Sequence, residues 1–462
     1  MTKSFFPFLI FVLSAFILMC APSLFAEGMF MDGLMYATVA KNLAHGEGSF
    51  WFLKFSDTYL TSFHEHPPLI FGLQSLCFNI FGDSIFVERF FSFFTYLLNG
   101  FLMMLIFKQV TPVKLHHLAW LPLLLWILMP LVPWGAMNNM LENGMLIFIL
   151  CSVLFYLKSL QSKKYFFLAL SSFMLFLAFL SKGFTGLFSL SLPFWMWCFD
   201  NNFSFKQLLI EVLLLFVFLA AFFVILFVIQ ADSFDSLQAY YKIQVKASLQ
   251  NVVNVDSRFF IVGRLITESL IALGISVLIF LFGRKYLSEK LEKKWFYFLL
   301  ALGLSGVLPI TLSLKQNAHY LLSALPFFAL AFSVFTAPYL SVLLQKMKWN
   351  NKIANMVSIS FLLVSLVISL SQKGNYCRDE KMLNDVKLIS KVLSPHTTCA
   401  VKKEVFTNWA LQGYLYRYAM VNLSMDNVRY PKFILLEKEE VAPQGYYKLP
   451  LYTKEFDLYQ MR

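Results

Sequence analysis

Charged side chains are scarce: Asp, Glu, Lys and Arg make up 14% of the 462 residues, where soluble domains carry about 25%. With 59% hydrophobic residues and a mean hydropathy of +0.66, that scarcity excludes an ordinary soluble domain. Glycine-rich phosphate cradles are missing too. Neither a P-loop nor a dinucleotide fingerprint occurs, so nothing points to a nucleotide cosubstrate. There is no internal repeat and no low-complexity tract. Cysteine is sparse, six in all, and Cys20, Cys77, Cys151 and Cys198 lie in or beside apolar segments as packing residues.

What is abundant is apolar length and phenylalanine, 54 residues of it. Apolar runs fall near 5–25, 84–107, 117–133, 141–157, 165–181, 184–199, 207–229, 265–283, 295–313, 320–341 and 354–371. Each approaches the length needed to cross a hydrocarbon layer of roughly 30 Å, which predicts a polytopic α-helical membrane protein with about eleven spans. The first run is longer than a signal-peptide core and reads as an uncleaved helix.

The net charge of +12 sorts by loop. Lys3, Lys108, Lys114, Lys158, Lys163, Lys164, Lys206, Arg284, Lys285, Lys290, Lys293, Lys294, Lys346, Lys348 and Lys352 fall in one alternate set. The positive-inside rule makes that set cytoplasmic. The basic excess is then topology signal and contact with membrane lipids, and no nucleic acid is implied.

Two outward loops are long. In the first, about 26–83, a helix is predicted from Asp32 to Ala44, with Met35, Val39 and Leu43 on one face and Gly46 as its stop. A second begins at Pro67-Pro68 and runs through Leu69, Leu73 and Leu76, lying on the membrane surface. The other loop, about 230–264, is polar and carries Tyr240, Tyr241, Lys242, Lys246, Arg258 and Arg264. From 372 to 462 the composition turns mixed. Helices near 380–393 and 408–417, with strands at Lys432–Leu436 and Tyr446–Leu449, predict a small outward α/β domain after a membrane domain of 1–371. Cys377 and Cys399 lie in this region, where a disulfide and two free thiols both stay open.

Several polar groups gather on the outward side. Asp32 follows the first helix in Met31-Asp32-Gly33-Leu34-Met35-Tyr36-Ala37. Glu65-His66-Pro67-Pro68-Leu69 comes next, then Phe81-Gly82-Asp83-Ser84 with Glu88-Arg89. Lys182-Gly183 sits at an outward helix end, and His319-Tyr320-Leu321-Leu322 precedes Pro326. In order, spacing and common placement, this set resembles glycosyltransferase family 39, the protein O-mannosyltransferases and aminoarabinose transferases of the GT-C superfamily. The resemblance covers about residues 5–330 and implies a GT-C-like bundle with two surface helices in the first outward loop and an outward tail. Two positions depart from the family pattern. Gly33 stands where a second acid often follows the catalytic Asp, and His66 replaces a frequent Lys before Pro-Pro.

The resemblance implies transfer of a sugar from a polyprenyl-phosphate donor to a lipid, glycan or protein hydroxyl. That chemistry needs a base and a set of phosphate donors. By family position Asp32 is the base; a helix N-cap is its structural alternative. Glu142, in Asn138-Asn139-Met140-Leu141-Glu142-Asn143, is the second acid, orienting sugar or acceptor, or else a helix-end charge reaching water. Glu65 and His66 fall at the phosphate contact, with His64-Glu65-His66 otherwise a metal site or a solvated turn. Lys182 matches a phosphate contact or a lipid headgroup contact. His319 and Tyr320 are donors to phosphate, and Arg258 or the Lys242/Lys246 pair are candidate clamps or solvated loop residues. No cofactor is expected; a divalent metal is allowed but not indicated.

The expected protein is therefore an inverting glycosyltransferase in a bacterial inner membrane, multi-pass, with its site on the periplasmic face. A transporter or lipid-binding protein for lipid-linked sugars is the competing class. Transporters gather polar groups at mid-membrane in repeated halves, which this chain lacks. An inactive relative serving as a scaffold is the third reading.

Overall fold

The computed structural model describes residues 5–246, 253–287, 293–346, 350–425 and 431–462. Lys3, Lys290 and Lys348 of the basic set, and residues 247–252 of the second long loop, lie outside them.

The chain opens with α1 (Phe5–Phe25), then α2 (Met31–Ala44), α3 (Leu69–Phe81) and α4 (Phe86–Val110). There follow α5 (Leu121–Ile127), α6 (Leu131–Met137), α7 (Leu141–Ser159), α8 (Lys164–Lys182), α9 (Leu192–Phe199), α10 (Phe205–Ile229) and α11 (Asp232–Tyr240). After them come α12 (Phe260–Gly283), α13 (Lys294–Val307), α14 (Leu325–Lys346) and α15 (Asn351–Leu370). Among the described residues, nine helical stretches are long and apolar enough to cross a membrane, and the bent pair Val113–Ile127 with Leu131–Met137 makes ten. One of the nine, Lys164–Phe199, is a hairpin: Gly183 at φ 75° turns the chain, and Lys164 and Asp200 at its two ends line the same cavity. With the hairpin counted as two, the described residues make eleven passes, and the protein is an integral, multi-pass membrane protein.

Three predicted spans change character. The run 117–133 is broken by an 83° bend between α5 and α6, at a segment holding Pro130. The freed start of α6 is satisfied from another span: the Leu131 N–H donates to Glu268 Oε2 at 2.7 Å, and Arg264 neutralises the other oxygen at 2.8 Å. The run 184–199 starts as a 3-10 helix over Gly183–Ser191 before α9. The run from 320 begins as a 3-10 turn, Ala318–Leu321, and α14 starts only at Leu325.

The first long loop folds into α2 and α3 as expected, with both prolines ahead of α3 rather than in its first turn. Asp32 is not an N-cap. Phe30 holds that position, and Asp32 lies inside the first turn. The second long loop is not wholly loop, since α11 fills its start and α12 absorbs 260–264.

The tail forms α16 (Glu380–Ile389), β1 (Thr398–Ala400), α17 (Lys403–Phe406), α18 (Trp409–Ala419), β2 (Asn422–Ser424), β3 (Phe433–Glu437), β4 (Tyr446–Lys448) and β5 (Phe456–Met461). The sheet order is β2-β1-β3-β5-β4, parallel at β1–β2 and β1–β3 and antiparallel at β3–β5 and β4–β5. Cys377 and Cys399 are both free. Cys399 is buried in β1, whereas the Cys377 thiol approaches the Glu27 carbonyl at 3.1 Å, which closes the disulfide option.

This domain grips the first loop, so α2 is sandwiched and does not lie open on the surface. Arg417 of α18 pairs with Glu88 at 2.9 and 3.1 Å, both side chains 2% exposed, and reaches the Asp83 and Ser84 carbonyls. Gly413 of α18 lies against Leu34, and the Tyr414 hydroxyl accepts from the Met29 N–H at 2.9 Å.

Candidate active site

The site is assembled at the head of α2, where Asp32 occupies the first turn. The backbone before it is anchored to the turn between α6 and α7. The Phe30 N–H donates to Asn138 Oδ1 at 2.8 Å, and the Asn139 amide donates to the Gly33 carbonyl at 3.1 Å. Gln74 of α3 holds Asn139 in turn at 2.7 Å. A Cβ on Gly33 would lie 2.0 Å from the Asn138 carbonyl oxygen, so no side chain fits there. This explains the missing second acid: the space it would need is filled by the backbone that sets Asp32 relative to Glu142. Gly33→Ala is expected to push α2 off this turn and lower turnover about 100-fold, the scale of a 1 Å misplacement. A transfer assay beside a thermal unfolding curve checks it.

Glu142 lies in the first turn of α7, 2% exposed, with Lys182 Nζ 2.5 Å from its Oε1. Lys182 ends α8, and Gly183 follows because Tyr240 of α11 sits on the turn, its hydroxyl 1.8 Å from where a Cβ would be. The Lys182 ammonium also lies 5.5 Å from the centre of the Tyr320 ring. The 3-10 turn places His319 Nε2 3.9 Å from Asp32 Oδ2, its ring stacked on Trp134 and edge-on to Tyr320.

Burial governs the protonation states. Asp32 is raised to about 6, chiefly by desolvation, with Lys182 and Lys315 opposing and Glu142 reinforcing the rise. Its side chain is still 27% exposed and can be reached. His319 falls to about 4, first through burial and then through Lys182, which outweigh the pull of Glu142. It is neutral at pH 7, so its approach to Asp32 is not an ion pair. His66 is pushed well down by burial and by Lys182, Lys315 and His319, and its Nε2 lies 3.2 Å from the Tyr36 hydroxyl. Glu65 is raised by burial and by Asp32, against Lys315. Tyr320 rises to about 12 by burial and the Glu142 charge, so it keeps its hydroxyl proton.

The predicted Asp32, Glu65, His66, Glu142, Lys182, His319 and Tyr320 thus converge. Arg258 does not join them: it is exposed, and its Nη1 donates to the Leu312 carbonyl at 2.5 Å, bracing the segment before Lys315. Lys242 bonds Gln238 one turn back on its own helical stretch. His64 turns away from His66, toward Ser62 at 2.7 Å and Ser236 at 3.4 Å. Among the described residues, the one grouping with metal-ligand spacing is Glu47, Asp57 and His396, away from this site. The Lys54 ammonium already lies there, 2.5 Å from Asp57 and 3.5 Å from Glu47, so the cluster acts as an ion-pair tie to the tail.

Lys315 was not singled out by sequence reasoning. Its ammonium donates to Gln244 Oε1 at 2.9 Å and burial lowers its pKa. Gln316 next to it pins the segment through the Ile261 N–H and the Arg258 and Ser313 carbonyls. The available signal was a lysine between two apolar runs on the outward side, the argument already applied to Lys182.

Comparison with known proteins bears on the fold and on part of the sequence. Residues 65–228 match the family model described as dolichyl-phosphate-mannose-protein mannosyltransferase. No curated protein matches the sequence. Among solved structures, the chain is similar to ArnT from Cupriavidus metallidurans bound to undecaprenyl phosphate, with a TM-score of 0.65, 12% identity and 97% of each chain covered. The apo state of the same protein gives 0.65 at 13% identity, covering 97% of this chain and 96% of that one. The archaeal oligosaccharyltransferase AglB from Archaeoglobus fulgidus, in complex with an inhibitory peptide and a dolichol-phosphate, gives 0.50 at 11% identity, covering 94% of this chain and 70% of its own. Over residues 65–228 the chain is thus similar to a mannosyltransferase family, and along nearly its whole length it shares the fold of ArnT.

Proposed function

We propose that this protein is an inverting glycosyltransferase that moves a sugar from a polyprenyl-phosphate donor to an acceptor hydroxyl on the Asp32 side of the membrane. The reading is carried by one observation: a reachable carboxylate, raised to about 6, faces the buried Lys182 and half-buried Lys315 ammonium groups at the head of an anchored helix. A carboxylate of that strength is a better proton acceptor at neutral pH than one near 3.8. Similarity in fold to a protein holding undecaprenyl phosphate supports a lipid-phosphate donor.

In the proposed step the acceptor oxygen attacks the anomeric carbon from the face opposite the phosphate. Its proton passes to Asp32, the new C–O bond forms, and the bond to phosphate oxygen breaks with its electron pair leaving on polyprenyl phosphate. Lys182 and Lys315 offset the charge that gathers on the leaving group, while Tyr320 and neutral His66 donate hydrogen bonds. Lys182 is already balanced by Glu142, whereas the hydrogen-bond partner of Lys315 is an uncharged amide. Lys315 and Lys182 share the phosphate charge, and Glu142 keeps Lys182 oriented toward sugar and phosphate.

The test is transfer by purified protein from a labelled polyprenyl-phosphate sugar, scored by release of polyprenyl phosphate. No release with any lipid-linked sugar, on an extract of all its cell-envelope acceptors, would sink the reading.

Two pH results accompany it. Activity requires deprotonated Asp32, so kcat/KM should rise with pH through about 6. Lys182, Lys315, Glu142 and His319 face this group, and Lys315 lowers its pKa. Lys315→Met should then move the acid limb to higher pH as well as weaken donor use. A drop in rate with an unmoved limb would separate Lys315 from the Asp32 field.

A further inference from the structure

The end of the bundle remote from Asp32 holds a second polar chamber. A cavity of about 400 Å³ lies among the ends of α4, α7, α8, α9, α10 and α13. Two ion pairs wall it: Lys164 to Glu211 at 2.6 Å, and Lys294 to Asp200 at 2.5 Å. Glu211 is wholly buried, although α10 is otherwise among the most apolar helices, and its Oε2 accepts from the Tyr156 hydroxyl at 2.9 Å. Gln109 Nε2 is buried at the same cavity and has no hydrogen-bond partner among the described residues.

The transfer chemistry uses none of these groups. α8 separates Lys164 from Lys182 by 18 residue steps, about 27 Å at 1.5 Å per residue, so the chamber does not touch a substrate held at Asp32. Ionisable side chains buried within a membrane bundle mark sites more often than packing.

We propose that this chamber binds the zwitterionic headgroup of a primary-amine phospholipid from the leaflet on the lysine-rich side. The ammonium would lie between the Glu211 and Asp200 carboxylates, and the phosphate between the Lys164 and Lys294 ammonium groups. The walls carry two acids and two bases, so a ligand bearing both signs within one headgroup is matched where a pure anion is not. A primary ammonium brings three N–H donors to the two carboxylates; a quaternary ammonium brings none. The unpartnered Gln109 amide offers a donor to phosphate oxygen. The lysines start their helices at the membrane boundary, the depth of lipid headgroups. Beside the chamber, Leu209, Leu213 and Phe216 leave an exposed apolar face on α10 along which acyl chains can run.

The test uses the full chain in nanodiscs with equal phosphatidylethanolamine, phosphatidylcholine and phosphatidylglycerol, with retained lipid counted by native mass spectrometry after extraction. One phosphatidylethanolamine per chain is expected, retained at least about tenfold over the other two. Lys164→Met should abolish that preference. Because it strands Glu211, a second variant is included: Gln161→Trp, at an exposed rim position, plugs the mouth and leaves both ion pairs in place. Soluble phosphorylethanolamine should compete with the retained lipid. Equal retention of the three lipids, retention unchanged in Gln161→Trp, or no competition by the free headgroup would each overturn the proposal.

Discussion

Asp32→Asn is expected to lower kcat by about 10²- to 10⁴-fold, the range for loss of a positioned general base. The change is isosteric, and Asp32 makes no capping hydrogen bond at α2, so the fold has little to lose. Donor affinity should be unchanged or improved, because a negative charge near Glu65 and Glu142 is removed from the pocket proposed to hold phosphate. The discriminating result is therefore a split: turnover collapses, KM for the lipid donor does not rise, and the unfolding temperature stays put. Near-wild-type turnover by the variant would remove Asp32 from the chemistry.

The largest effect on stability is expected at the buried Arg417–Glu88 pair. Arg417→Met leaves Glu88 charged, 2% exposed and without its partner, a change that costs about 3–5 kcal/mol when one half of a buried pair is removed. It also removes the bonds to the Asp83 and Ser84 carbonyls. The tail should then part from the first loop, seen as protease cleavage between 372 and 462 at temperatures where the wild type resists. Activity should fall with it, since Tyr414 on the same helix holds Met29 three residues before Asp32. Arg417→Met with Glu88→Gln should recover part of the stability, because the stranded charge is gone. Full stability in the single variant would mean that this contact does not hold the tail.

Much of this was legible along the chain, and the failures share a cause. Hydrophobic run length located the spans, and alternation of lysine-rich loops set Asp32, His66, Lys182 and His319 on one side. Run length cannot see a span broken at its centre. The α5–α6 bend persists because Glu268, from a helix more than a hundred residues on, caps the exposed turn. Charge alone cannot say where a side chain ends. Arg258 looked like a phosphate clamp and Lys315 drew no notice, yet a backbone carbonyl takes the first and the pocket takes the second. Gly33 looked like a lost functional group until the Asn138 carbonyl beside it came into view. The α16, α18, β3 and β4 patterns stood out in the tail, whereas β1, β2 and β5 did not.

The bond from Met29 to the Tyr414 hydroxyl spans 385 positions of sequence. At about 5–20 residues per second of synthesis, a nascent chain waits roughly 20–80 s between making its carboxylate helix and making the clamp for it. A bundle inserted but interrupted before α18 would lack the Tyr414 hydroxyl that holds Met29 ahead of α2. The register of α2 is thus set only after every span of the bundle has been synthesised, which makes the tail the last element to act on the first loop.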